Sequence, residues 1–177
     1  MKIQRLKASR IRNRINVVFD DGNYLPLFID DVVKNNLKIG EECDFGKLKD
    51  LSTNYLARQY ALRQIAISPK VASILKRKLR QKYRDFNSDE LIESLKQYLD
   101  EKKYIDYFVN KYKKKSKREI EYRLKMLGID CRLDQSDTEK IEKILQKKKN
   151  ITISSLIQRG FAYNDIKSVF AKFDKLK

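Results

Sequence analysis

The spacing of apolar residues changes once along this chain. Near the N-terminus they come in two short runs, Ile15 to Phe19 and Tyr24 to Ile29, on either side of Asp20-Asp21-Gly22-Asn23. Runs of that length around a glycine-containing turn predict a β-hairpin, with Gly22 at a position of positive φ. Pro26 has no N–H to give to a ladder, which assigns its strand to a sheet edge. Leu37-Lys38-Ile39-Gly40 reads as a turn, and a short third strand is expected near Glu42 to Phe45.

From about Asp50 onward the period becomes helical. Ser68-Pro69 reads as a capping hydroxyl before a proline in the first turn, with Val71, Leu75 and Leu79 on one face behind it. Asn87-Ser88-Asp89-Glu90 opens a further helix whose stripe is Leu91, Leu95, Tyr98 and Leu99. Ser116-x-x-Glu119 and Ser136-x-x-Glu139 match the capping box, in which hydroxyl and carboxylate each satisfy an orphan backbone N–H. Behind them fall Ile120, Leu124 and Leu127, then Ile141, Ile144 and Leu145; the last helix carries Ile166, Val169, Phe170 and Phe173. Helices this short need one another's apolar faces to be stable.

Three segments are alike: Leu79-Arg-Gln-Lys-Tyr83, Leu124-Lys-Met-Leu-Gly128-Ile129 and Leu156-Ile-Gln-Arg-Gly160-Phe161. In each, a leucine near a helix end precedes a terminating position by four residues. Glycine fills that position in two of them, as a left-handed C-cap requires, and Ile129 or Phe161 follows as the apolar contact of the cap. The pattern predicts a mainly α fold of tandem short helical units stacked into an elongated array, preceded by a small N-terminal β-hairpin region.

Charge narrows the function. The chain of 177 residues holds 41 Lys+Arg against 24 Asp+Glu, a formal net charge of +17, yet 41% of it is hydrophobic, enough to bury a core. The excess is local: +2 over residues 1–50, +11 over 51–118 and +4 over 119–177. Two clusters carry most of it, Lys76, Arg77, Lys78, Arg80, Lys82 and Arg84, then Lys111, Lys113, Lys114, Lys115, Lys117 and Arg118. Such faces point to a polyanion or an acidic protein surface, the alternative being solvated helix faces with no partner.

Several chemistries are excluded or disfavoured. With no histidine there is no imidazole base, no Ser-His or Cys-His pair and no His-ligated metal. Cys43 and Cys131 lack a CxxC partner, too few ligands for structural zinc, and read as buried reduced thiols. Gly40-Glu-Glu-Cys-Asp-Phe-Gly46-Lys47-Leu48 mimics a P-loop, but it has five residues between the glycines, and Leu48 stands where Ser or Thr would hold magnesium. Asp20-Asp21 and Asp30-Asp31 read as solvated turn acids or as strand neighbours pointing to opposite faces. No catalytic residue, cofactor or metal ligand is assigned. With no apolar run of the ~18–20 residues that span a bilayer and no signal-peptide pattern after Met1-Lys2-Ile3-Gln4-Arg5, a cytosolic location is expected. Without a heptad run or a long apolar strand edge, the expected state is a monomer.

Four stretches carry a resemblance. They are Ile15-Asn-Val-Val-Phe-Asp-Asp-Gly-Asn-Tyr24 with Asn36-Leu-Lys-Ile-Gly40; Ala61-Leu62 with Lys70, Leu75, Lys78 and Leu79; Tyr104-Ile105-Asp106 with Phe108 and Tyr112; and Leu156-Ile-Gln-Arg-Gly-Phe161. Together they resemble the RecX family, regulatory proteins of the RecA recombinase, the last looking like its C-terminal "L-x-R-R-G-F" signature. The chain departs from the family's usual pattern at Ser68-Pro69-Lys70-Val71, at Tyr83 and Lys103 where glycine is usual, at Tyr107, and in the short stretch from Gly128 to Asp137.

The resemblance implies tandem modified three-helix repeats that form a curved array, lodge in the groove of the RecA–DNA filament and limit its growth, ATPase and strand exchange. That places the protein in DNA repair, homologous recombination and the SOS response. The implied division is a hairpin region at 1–50 and repeats at 51–103, 104–135 (shortened) and 136–177. The expected contacts to RecA and to single- or double-stranded DNA are Lys76, Arg77, Arg80, Lys82, Lys113, Lys114, Lys115, Lys117 and Arg118. Arg159 is either a further contact or a charge complementing a helix C-terminus. The rival reading is an autonomous nucleic-acid-binding protein that stacks bases on exposed tyrosines such as Tyr83, Tyr107 or Tyr112.

Overall fold

The structure, a computed structural model, describes residues 1–147 and 151–174 and divides into two compact units, Met1–Leu99 and Asp100–Lys177. It is mainly helical with a small N-terminal sheet. The side chain of Phe173, expected on the last apolar stripe, lies outside the described residues.

In the first unit, β1 (Ile3–Ala8), β2 (Arg14–Phe19) and β3 (Tyr24–Phe28) form an antiparallel sheet in the order β1-β2-β3. The hairpin is the expected one: Phe19 donates its N–H to the Asn23 carbonyl at 2.9 Å, and Gly22 sits at φ +82°. Pro26 pairs with Asn16 on the edge strand. The third strand, however, precedes the hairpin. Near Glu42 there is a single bridge, to Lys2, because the chain turns at Gly40 (φ +87°) and enters a helix. Helix α1 (Ile29–Lys34) follows β3 directly, so Asp30 and Asp31 lie in a helical first turn and not on a strand.

Helix α2 (Phe45–Ile67) begins ahead of Asp50, crossing the expected boundary at residue 50, because the Asp44 carboxylate caps it by accepting the Lys47 N–H at 3.2 Å. Ser68 ends α2 and does not cap its successor: α3 (Ala72–Lys82) starts after Val71, and the Ser68 hydroxyl is taken by the Lys70 ammonium. Asn87 Oδ1 accepts the Asp89 N–H at 3.1 Å to open α4 (Asp89–Ser94), and a 3-10 turn, Lys96–Tyr98, replaces the rest of the expected helix and leaves Tyr98 53% exposed.

Two apolar clusters fill this unit. Ile3, Val17, Phe19, Leu27, Val32 and Leu48 lie under the sheet, while Ala57, Ala61, Leu75, Leu79, Leu91 and Leu95 lie between helices. Helix α2 belongs to both, giving Leu48 to the first and two alanines to the second. The alanines leave room for the leucines of α3.

The second unit holds α5 (Glu101–Lys111), α6 (Lys117–Lys125), α7 (Thr138–Lys147), α8 (Ile153–Gln158) and α9 (Tyr163–Asp174). Ser116 caps α6 as expected, accepting the Glu119 N–H at 3.2 Å, but the Glu119 carboxylate turns to Arg123 and Lys115. At α7 the start falls one residue late: the Asp137 carbonyl takes the first helical bond, from Ile141 at 3.0 Å, while Ser136 Oγ serves Thr138.

The two glycine caps form as expected. Ile129 donates to the Leu124 carbonyl at 3.0 Å and Phe161 to that of Leu156 at 3.2 Å, with Gly128 and Gly160 both at φ +81°. Leu79 is equally buried, but Tyr83 closes α3 at φ −130°, without a left-handed residue. Ile141, Leu156, Phe161, Ile166 and Val169 make the apolar centre under α7–α9.

Candidate polyanion interface

The surfaces expected to carry contacts are built by helix geometry. On α3 the stripe Ile74, Leu75, Leu79 faces inward, which turns Arg77 and Arg80 outward, three residues apart and on one side of the helix. Lys76 borders the same shallow depression and is ion-paired with Asp89, whose carboxyl is held below its ordinary value chiefly by that hydrogen bond. Lys82 points elsewhere: its ammonium lies 4.4 Å from the centre of the Tyr60 ring.

In the second unit a groove of about 750 Å³ collects Lys114, Lys115, Arg118 and Arg159, with Tyr122 exposed at its side. The turn after α5 supplies the lysines, the first turn of α6 Arg118, and the end of α8 Arg159. Gly160 makes this convergence possible, because it packs directly on Ser116 at the start of α6. Asp137, 2% exposed, fastens the same end: its Oδ2 accepts the Lys117 N–H at 2.6 Å and its Oδ1 the Lys140 ammonium at 2.6 Å.

One carboxylate, Glu119, borders the groove. Partial burial pushes its pKa up, but hydrogen bonds from Arg123 (2.7 Å) and Lys115 (3.1 Å) outweigh this and hold it below its ordinary value. With four cations on its walls the groove keeps a net positive field. Lys113 and Lys117 stand outside its lining, Lys117 facing Glu121 at 3.9 Å.

The tyrosines expected to be exposed are differently placed. Tyr112 is half-buried, 4.6 Å from Phe108 between ring centres and with the Arg123 guanidinium 5.1 Å from its own ring centre. Tyr83 is half-buried against Tyr60 and Phe86, and burial followed by the neighbouring Tyr60 raises its pKa. Tyr107 is open to solvent.

A third basic concavity was not expected. Arg14, Arg63 and Lys82 converge around Tyr55, Tyr60 and Tyr83 in the first unit. Its sequence signal is Arg10-Ile-Arg-Asn-Arg14, three arginines in five residues, which a net charge taken over residues 1–50 averages away against distant acids.

The P-loop look-alike is the N-terminus of α2, with Gly46 inside the first turn and Asp44 as its cap. The Asp21 carboxylate is occupied with Asn23, by its backbone N–H at 3.0 Å and its amide at 2.6 Å. Cys43 and Cys131 are free and half-buried, less buried than expected, and desolvation raises both thiol pKa values. Among the described residues no group of three metal-ligating side chains gathers, and no helix is long and apolar enough to cross a membrane.

The arrangement of a small N-terminal sheet followed by short capped helices is shared with known proteins. A solved structure, the crystal structure of regulatory protein RecX, matches with a TM-score of 0.62 at 18% identity, over 96% of this chain and 98% of that one. The regulatory protein RecX of Clostridium tetani is 27% identical, over 97% of this chain and 94% of the relative. No protein-family model matches the chain. The chain is thus similar along nearly its whole length to regulatory proteins named RecX.

Proposed function

We propose that this protein binds RecA together with its DNA filament and restrains filament growth, and with it ATPase and strand exchange. The observation that carries the reading is the joining of Lys114, Lys115, Arg118 and Arg159 in one groove of a chain similar to RecX along its whole length. A RecA–DNA filament offers phosphates and acidic protein surface together, and a basic groove suits both. The face of α3 with Lys76, Arg77 and Arg80 is a second contact, while Lys82, Lys113 and Lys117 contribute charge from outside these two surfaces. The scaffold is read as tandem three-helix repeats over 51–103, 104–135 and 136–177, working in the cytosol as a monomer without catalysis of its own.

The test is RecA's DNA-dependent ATPase with increasing amounts of this protein. Inhibition well below one molecule per RecA protomer indicates action at filament ends, and stoichiometric inhibition indicates coating. Reversing Lys114, Arg118 and Arg159 to Glu is expected to abolish inhibition while the circular dichroism spectrum stays unchanged. Full inhibition by the folded triple variant overturns the groove assignment.

A further inference from the structure

The concavity in the first unit has a composition of its own. It encloses about 570 Å³, within the usual range of small-ligand sites, and no carboxylate lines it. Its wall includes Tyr55, 1% exposed, whose buried hydroxyl has no hydrogen-bond partner among the described residues. That hydroxyl is closed to solvent, so Tyr55 gives the wall its aromatic body while the polar contacts come from the cations around it.

Cations stand around it in graded freedom. Arg14 is steadied by its Nε donating to Asn16 Oδ1 at 2.9 Å, Arg63 is exposed, and Lys82 rests on the Tyr60 ring. Tyr60 and Tyr83 meet edge to face at 6.3 Å. A lysine over a ring face is a replaceable lid, because its long stem lets the ammonium swing to an anion while a flat apolar group takes the face.

We propose that this pocket holds one nucleotide of a single-stranded nucleic acid, its base on Tyr60 beside Tyr83 and its phosphate among Arg14, Arg63 and Lys82. An acidic peptide would satisfy the cations but has no flat ring to take the place of Lys82. The inference rests on the proposed function only in taking nucleic acid as part of the target; RecA plays no part in it.

The experiment is a fluorescence-anisotropy titration of the full chain, without RecA, against a labelled ten-residue oligothymidylate and against an abasic deoxyribose-phosphate strand of the same length. The two probes carry equal charge and differ only in bases. The wild type should prefer the base-bearing strand roughly 5- to 100-fold, as stacking of one base on an aromatic ring allows. Tyr60→Leu should erase that preference. Arg63→Ala, at an exposed position that leaves folding intact, should weaken both strands and lower the salt slope by about 0.7, the value for one phosphate on a single strand. Lys125→Ala, on α6 and outside every groove described, should lower it less.

Equal affinity of the wild type for the two strands overturns the proposal. So does a preference that survives in folded Tyr60→Leu with Arg63→Ala no different from Lys125→Ala, and so does displacement of the strand by oligoglutamate of equal charge as readily as by unlabelled oligonucleotide. None of these outcomes bears on RecA inhibition by the other groove, so the two readings fail separately.

Discussion

A β-carbon placed on Gly160 would stand 2.8 Å from the Ser116 hydroxyl, and that same hydroxyl caps α6. Gly128 shares its φ of +81° but has nothing within 4 Å of the equivalent point. Alanine at Gly128 therefore meets only the left-handed backbone, at a cost of about 1 kcal/mol. Alanine at Gly160 meets that and also displaces the cap, itself worth about 1 kcal/mol. Urea unfolding should show Gly160→Ala the more destabilising of the two, and equal losses would mean that Ser116 yields freely.

Asp137 ties the start of α6 to Lys140 of α7 through two short hydrogen bonds from a site 2% exposed. Asparagine there keeps the shape and removes the charge. A loss of about 1.5–3 kcal/mol is expected, the range for hydrogen bonds to charged groups. In a double-mutant cycle, Asp137→Asn and Lys140→Met should be strongly non-additive. Additive losses would show that the ion pair contributes nothing beyond its two members.

Arg159 separates structure from contact. It is exposed at the end of α8, where its charge complements the helix terminus by about 0.3–1 kcal/mol. Arg159→Ala should shift the unfolding midpoint only slightly while markedly weakening inhibition of RecA ATPase. Loss of both together would assign the side chain to folding.

Glu119 gives an acid signature. Its pKa is lower in the folded chain than the ordinary 4.5, so the stabilisation it supplies is present above that value and fades as pH falls through it toward the folded pKa. Stability of the wild type should decline below about pH 4.5, and Glu119→Gln should flatten that part of the profile. Identical profiles would remove Glu119 as a contributor.

Local chemistry made much of this fold legible. Gly22, Gly128 and Gly160 each announce a left-handed residue, and Ser116 announces the start of α6, because a turn or cap is decided by a few adjacent atoms. Helix α2 was harder to read. It turns Leu48 and Tyr55 toward the sheet and Ala57 and Ala61 toward other helices, so no single apolar stripe runs its length. Strand β1 escapes a sequence reading because its apolar residues Ile3, Leu6 and Ala8 do not alternate regularly, the register with β2 shifting between Ile3 and Arg5. For the site, the sequence located the basic clusters but not their grouping: Arg159 lies over forty residues from Lys114 and meets it only through the packing of Gly160 on Ser116.

Helix α2 has a thermodynamic corollary. Its 23 residues serve the cluster under the sheet at one end and the cluster among the helices at the other. Neither cluster can open without removing a wall from its neighbour, so the hairpin is not a detachable appendage. Backbone amides of β2 and α3 should then exchange with solvent deuterium at the same opening free energy, marking residues 1–99 as one cooperative foldon.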